Sequence, residues 1–227
     1  MKNLNIYINK LKNFDTPTIC NGMELIDSKY KLNHYTKKPF FCLYPKLKPM
    51  VGFAKTATIK STKSNNARLS DIRIPYYEYV NKDKIPKISV VEDLISNPIG
   101  SFWGEVNANI HYKLGCLGVL TNGSVRDLDV IPKKFQFLAN KLSPSHAEVH
   151  LIDFSKKISI YGMEVKDKDL IHADQHGAIN IPIDRLKELI LAIQYVSKKE
   201  KIILNSCKSK NFKFINFKKA YLKAQKL

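Results

Sequence analysis

From Met50 to Ser61 apolar and polar positions alternate around Val51, Phe53, Thr56 and Thr58, the period-two pattern of a strand with a face turned to a core. Residues 88–91 form a shorter apolar run of the kind that fills a buried strand. Trp103, Val106, Ile110 and Leu114 recur at steps of three and four, which predicts one apolar helix face closed by Gly115 as its C-cap. Residues 116–120 are compact and apolar, so they predict a buried strand ending at the turn Thr121-Asn122-Gly123-Ser124. Short strands follow over 135–138, 147–154, 158–161, 170–172 and 178–181, and Leu186, Leu189, Ile190 and Ile193 predict an amphipathic helix over 184–200. Upstream, Asp15-Thr16-Pro17-Thr18 predicts a capped helix start, residues 30–50 a connecting loop, and the apolar positions of 70–82 a short helix. Alternating strand-like and helix-like stretches imply a mixed α and β architecture. At 227 residues the chain suits one well-buried domain, expected over 1–197, with a basic helical extension over 198–227.

Composition narrows the partners. No apolar run approaches the ~20 residues that span a bilayer, and the first six residues lack the apolar core of a secretory signal, so a cytoplasmic protein without a membrane partner is expected. The four cysteines contain no CxxC pair, which removes metal-ribbon spacing and leaves reduced thiols. The net charge of +18 is a lysine charge. Only Arg68, Arg73, Arg126 and Arg185 are arginines, and residues 198–226 alone carry ten Lys against Glu200. Such a tail can meet nucleic acid, an anionic membrane or an acidic partner, or simply be a solvated face. Nucleic-acid readers rely on the planar guanidinium, so four arginines argue against that partner.

Chemistry concentrates in residues 100–127, GSFWGEVNANIHYKLGCLGVLTNGSVRD. The first turn of a helix leaves backbone N–H groups without intrahelical partners, and its dipole adds positive potential. A small carboxylate is therefore a natural guest at Gly104, Glu105, Val106 and Asn107, with Gly104 permitting close approach. The strand and glycine turn that follow deliver Arg126 and Asp127 together. The guanidinium can hold an oxyanion or a carbonyl oxygen while the carboxylate anchors a cation. Taken by themselves, an exposed helix start and an Arg-Asp pair are also what an ordinary surface salt bridge looks like.

The stretch resembles the family that includes regulator of ribonuclease activity A and the 4-hydroxy-4-methyl-2-oxoglutarate aldolases. Trp103-Gly104-Glu105, Gly115-Cys116-Leu117-Gly118-Val119 and Thr121-Asn122-Gly123-Ser124-Val125-Arg126-Asp127 carry the resemblance, with twenty residues between Glu105 and Arg126 as in the aldolases. Asp169 to Gly177 is similar to that family's strand-turn-strand, and residues 16–27 and 51–60 are similar too. The resemblance implies a layered β/β/α, swivelling-domain-like α/β fold, assembled as a homotrimer or a hexamer. It implies a small 2-oxo acid bound through the backbone at Gly104 to Asn107 and by Arg126, with Mg²⁺ or Mn²⁺ held by Asp127, waters and ligand oxygens. The implied activity is that of a divalent-metal-dependent lyase, a class II aldolase or oxaloacetate decarboxylase, with Arg126, Glu105 and Asp127 as catalytic residues. The alternative is a non-catalytic regulator that binds a ribonuclease or another protein. Two departures matter: the aldolases have Asp where this chain has Glu105, and the ribonuclease regulators lack the acid that Asp127 supplies.

Two histidine pairs, His146/His150 and His172/His176, have the x₃ spacing that can place two rings together. Both fall in segments read as strand and turn without a third ligand type nearby, so a zinc site is not expected from them. One of these rings lining the substrate pocket is the better reading.

Overall fold

The computed structural model describes residues 2–27, 34–61 and 72–227. Two helices open the chain, α1 (Lys2–Leu11) and α2 (Thr16–Ile26). Asp15 caps α2 by accepting from Thr18 N at 3.0 Å, with Pro17 in the first turn, as the sequence predicts. The expected loop contains one two-residue strand, β1 (Phe41–Cys42). The long strand β2 (Met50–Ser61), helix α3 (Arg73–Asn81), β3 (Lys87–Asp93), β4 (Ser101–Trp103), α4 (Glu105–Lys113), β5 (Cys116–Thr121) and β6 (Ser124–Val125) follow. Then come β7 (Gln136–Ala139), β8 (Lys141–Leu142), β9 (Val149–Phe154), β10 (Ile158–Ile160), β11 (Met163–Val165), β12 (Leu170–Asp174) and β13 (Gly177–Ile181). Two helices close the chain, α5 (Leu186–Cys207) and α6 (Phe214–Gln225). Helix α5 runs without a break through residue 198, where the extension was expected to start.

The main sheet has the order β1-β7-β5-β3-β2-β12-β13. Strands β2, β3, β5 and β7 are parallel, while β12, β13 and β1 run antiparallel to their neighbours. On its other edge β2 is shared: Met50 to Phe53 pair with β12, and Ala57 to Ser61 pair with β9 with a bulge between Thr58 and Ile59.

Period two explains the layers. Val51, Phe53, Ala57, Ile59, Val91, Val119 and Phe137 share one face, packed under α1, α2 and α5 at one end and under α3 and α4 at the other. Met50, Ala54, Ile88, Val90, Leu120 and Leu138 share the opposite face, packed on Ile158, Ile160, Met163 and Val165 of the β10–β11 hairpin. Hairpin, sheet and helices make the β/β/α sandwich.

The site depends on a second, smaller sheet. Past their C-terminal ends β3, β5 and β7 each hand over to a short strand, and these form a parallel sheet in the matching order β4-β6-β8. The handover is clamped by Asn122, whose amide oxygen accepts from Asp93 N at 2.7 Å while its amide nitrogen donates to Asp93 O at 2.9 Å. Gly118 lets β5 lie close to β7: a Cβ there would overlap the Gln136 carbonyl oxygen and stand 2.6 Å from Met50 Sδ.

Candidate active site

Helix α4 starts directly from β4, with Gly104 as its N-cap in an extended conformation. Gly104 has no side chain to cap the helix, and Asp127 supplies the missing acceptor: its Oδ2 accepts from Glu105 N at 3.1 Å. It gets there because Arg126 N donates to Trp103 O at 2.9 Å, which fixes the end of β6 beside β4, and because Asp127 adopts a left-handed conformation (φ 59°). Arg126 Nε lies 3.5 Å from the same Oδ2. A Cβ on Gly104 would overlap Asp127 Oδ2 and stand 3.1 Å from Arg126 Nε, so the glycine makes room for both side chains.

Five sequence candidates therefore share one small region: Gly104, Glu105, Val106, Arg126 and Asp127 meet at the opening turn of α4. The Arg126 and Asp127 side chains are each 37% exposed, and Glu105 and Val106 are exposed, so the site lies open on the single chain. Asn107 turns inward. Its Nδ2 donates to Phe102 O at 2.6 Å, and its Oδ1 accepts from Tyr77 OH at 2.9 Å. The Asn107 carbonyl accepts from His111 Nδ1 at 2.7 Å, since a carbonyl can only accept. That assigns the other ring nitrogen, Nε2, as acceptor from Tyr76 OH at 2.9 Å, with Ser89 Oγ donating to the Tyr76 oxygen at 3.0 Å. The His111 ring is fully buried against Trp103, and burial pushes its pKa down to about 4. This network is a rigid floor beneath the helix start. Sequence reasoning gave His111 no role, although its place four residues after Asn107 puts both on one helix face.

The expected apolar face of α4 is corrected by the structure. Trp103 belongs to β4, Val106 is 72% exposed, and the buried positions are Ala108 and His111. The histidine pairs separate. His146 lies where the cations of Arg126 and Arg73 reach it, and its pKa is lowered by partial burial first and by those cations second. His172 is buried away from the site. Its Nε2 donates to Phe14 O at 3.0 Å and Nδ1 meets Thr16 Oγ1 at 3.1 Å, which ties β12 to the start of α2. Asp174 joins it there, accepting from Thr16 N and from His176 N.

A metal can be tested against this donor set. Among the described residues no group of three or more His, Cys, Asp or Glu converges, which fits neither zinc nor a protein-caged calcium. A single half-exposed carboxylate at a helix start fits Mg²⁺ or Mn²⁺, which keep most of their waters and take the rest of their ligands from substrate.

A family model described as RraA-like, Aldolase/RraA, matches residues 16–179. The chain belongs to the Aldolase/RraA family. Members of this family are either metal-dependent lyases or regulators of ribonucleases. Among curated proteins, Protein DlpA of Legionella pneumophila is 26% identical over 112 residues, 48% of this chain and 18% of that protein, so the match spans less than a fifth of that relative. Among solved structures, an uncharacterized protein from Pseudomonas syringae pv. tomato is similar at TM-score 0.73 and 16% identity, covering 96% of this chain and 94% of that one. RraAS2 of Streptomyces coelicolor, described as an unusual member of the RNase ES inhibitor RraA family, is similar at TM-score 0.64 and 16% identity, covering 89% and 96%. These likenesses show a shared fold over nearly the whole chain.

Proposed function

We propose that the chain is a divalent-metal-dependent lyase that cleaves pyruvate-type 2-oxo acids, by retro-aldol cleavage of 4-hydroxy-2-oxo acids, by decarboxylation of oxaloacetate, or both. The observation that carries the reading is the convergence of the Arg126 guanidinium and the Asp127 carboxylate on the opening turn of α4. The N–H groups of Val106 and Asn107, which have no intrahelical acceptor, receive the substrate carboxylate. Asp127 would hold a Mg²⁺ or Mn²⁺ ion, and that ion would supply Lewis-acid polarisation of the 2-oxo group.

Arg126 donates to the 2-oxo oxygen and stabilises the negative charge that grows on it as the C3–C4 bond breaks. In the retro-aldol direction Glu105, directly or through a water, takes the proton of the C4 hydroxyl as the C4 carbonyl forms, and a proton returned to C3 gives pyruvate. In decarboxylation the bond lost is that to the C4 carboxylate, and the same C3 position is protonated. Glu105 reaches one methylene further than aspartate, which suits a substrate or a bridging water set slightly further from the helix. Assembly as a trimer or hexamer in a cytoplasmic setting belongs to the same proposal.

The test is pyruvate release from oxaloacetate and from 4-hydroxy-2-oxo acids, with Mg²⁺ and with EDTA. Turnover should need the metal and fall about 10²-fold or more in Asp127→Ala and Arg126→Lys. Metal-independent turnover, or full activity in Asp127→Ala, refutes the assignment. Absence of turnover on every such acid, together with a stable protein partner in pull-down, would establish the regulator reading instead.

A further inference from the structure

Away from the opening turn of α4, a carboxylate and an imidazole are locked together beside another cavity. Asp174, at the end of β12, is buried, and its Oδ2 accepts from Thr16 N at 2.8 Å. Its Oδ1 accepts from His176 N at 2.8 Å and stands 3.2 Å from His176 Nδ1. The carboxylate only accepts, so Nδ1 is the nitrogen that carries hydrogen, and the ring is held in one tautomer and one orientation. Nε2 has no hydrogen-bond partner among the described residues. The His176 side chain is 45% exposed and borders an open hollow of about 430 Å³.

Lys12, just past α1, and Lys48 border the same hollow. Among the described residues neither ammonium is paired with a carboxylate. The remaining acid of the rim, Asp15, is engaged as the cap of α2. A chain of +18 spreads lysines widely, so two of them alone would mean little. Here they stand with a fixed imidazole and an apolar wall of Phe14, Leu47 and Pro49. Past Lys12 and Lys48 the hollow continues into another of about 280 Å³, bounded by Met50 and Leu117. The segment that carries Lys12 and Phe14 cannot drift from the His176 turn. His172 Nε2 donates to Phe14 O at 3.0 Å and Asp174 holds Thr16 N, so both sides of the hollow are tied to β12. Such a hollow, apolar with a few convergent polar groups held in place, has the make-up of a small-molecule site.

We propose that it is a second ligand site, which takes the phosphate of an organic phosphomonoester. Lys12, Lys48 and His176 Nε2 hold the phosphate oxygens, and the apolar wall takes the ester body. A metal ion is not the occupant, since among the described residues no three His, Cys, Asp or Glu groups converge. A carboxylate fits less well: it offers two oxygens and one charge, whereas a phosphomonoester offers three terminal oxygens and up to two charges to three nitrogen groups. The neutral ring accepts the hydrogen of a phosphate monoanion at Nε2, and the protonated ring donates to the dianion, so either form makes the bond. The site does not rest on the lyase reading, because it uses neither Arg126 nor Asp127 and its readout is binding.

Phenyl phosphate, inorganic phosphate and benzoate titrated into the full chain test this, followed by calorimetry and by the imidazole NMR signals. The signal missing from His176→Asn identifies the ring. Phenyl phosphate should shift that signal saturably and bind about tenfold or more tightly than either of the other two, and its binding should weaken with salt. His176→Asn, Lys12→Gln and Lys48→Gln, none at a buried position, should each weaken it about tenfold while melting is unchanged. Arg126→Lys should leave it as it was.

No saturable shift of the His176 signal up to about 10 mM phenyl phosphate overturns the proposal. So does inorganic phosphate or benzoate binding as tightly as phenyl phosphate, which would leave the phosphate or the apolar wall without a part. Binding that survives all three substitutions, or that is lost in Arg126→Lys and kept in His176→Asn, overturns it as well, the last by moving the anion to the opening turn of α4.

Discussion

Replacing His111 with glutamine should lower stability at neutral pH and at the same time flatten the response to acid. In the folded protein the imidazole is buried, donates to the Asn107 carbonyl and accepts from Tyr76 OH, and its pKa falls from the ordinary 6.5 to about 4. As the pH drops below 6.5 the unfolded chain takes up a proton that the folded chain refuses. The contribution of His111 is therefore complete above about pH 6.5 and drains away until the pH reaches about 4. A difference of about 2.5 pH units corresponds to about 3 kcal/mol in all, of which about 2 kcal/mol is gone by pH 5. The glutamine side chain of the variant loses one of the two ring hydrogen bonds and the packing on Trp103, a deficit of about 2–3 kcal/mol near pH 7.5, but cannot titrate. Urea unfolding of both proteins near pH 7.5 and near pH 5 measures the effect as a double difference. The wild type should lose about 2 kcal/mol more than the variant, so that the deficit nearly closes. His172, whose pKa burial also lowers, is present in both proteins and cancels. Parallel losses in the two proteins would falsify the claim that His111 is held neutral by the fold.

Gly104→Ala should cut metal-dependent pyruvate release about 10²-fold with little change in melting temperature, because the new Cβ displaces Asp127 Oδ2 and the Arg126 side chain rather than the core. An unaltered rate sinks the geometry. Gly118→Ala should do the reverse and cost roughly 2–3 kcal/mol of stability in urea melts, since its Cβ meets the backbone of Gln136 and Met50 Sδ. Lys55 is 1% exposed and pairs with Asp83 at 2.6 Å, its ammonium 4.3 Å from the centre of the Tyr79 ring. Asp83→Ala leaves that charge unpaired and should cost about 2–3 kcal/mol, whereas Lys55→Met should be close to neutral by the same melts. Equal losses in the two variants would show that the methylene packing of Lys55, and not its charge, is what the fold depends on.

The long strand β2 was legible as a strand but not in its burial: the alternation predicts one face turned to a core, whereas both faces are covered and Met50 to Ala57 are all buried, Lys55 and Thr56 included. The opening turn of α4 was legible in place but not in orientation. Its nine residues bury a polar floor of Asn107 and His111 beside Ala108, so counting apolar residues pointed to Val106, the side that faces out. The small sheet β4-β6-β8 was invisible because strands of two and three residues carry no period. Yet that sheet brings Arg126 to Trp103 and lets Asp127, in a left-handed turn, cap a helix that begins twenty-two residues earlier. Residue identity and spacing could nominate the pair, but only the handover from β5 to β6 shows why the pair lands on that helix.

The C-terminal arm shows the opposite failure, in which a true count led to an incomplete reading. Ten lysines against one glutamate in 198–226 describe a solvated face, and the structure exposes all of them but Lys199, which lies over the Tyr195 ring. What the count hid is that Ile215 and Leu222, seven residues apart, share one side of α6, while Phe214 and Tyr221, also seven apart, share another, with Lys218 between the two stripes. A helix whose only duty was solubility would not keep two apolar stripes bare, and lysine stems lying beside such stripes add to their apolar area rather than break it. The lysine count thus described the charge of α6 and missed the two sides on which Phe214, Ile215, Tyr221 and Leu222 stand exposed.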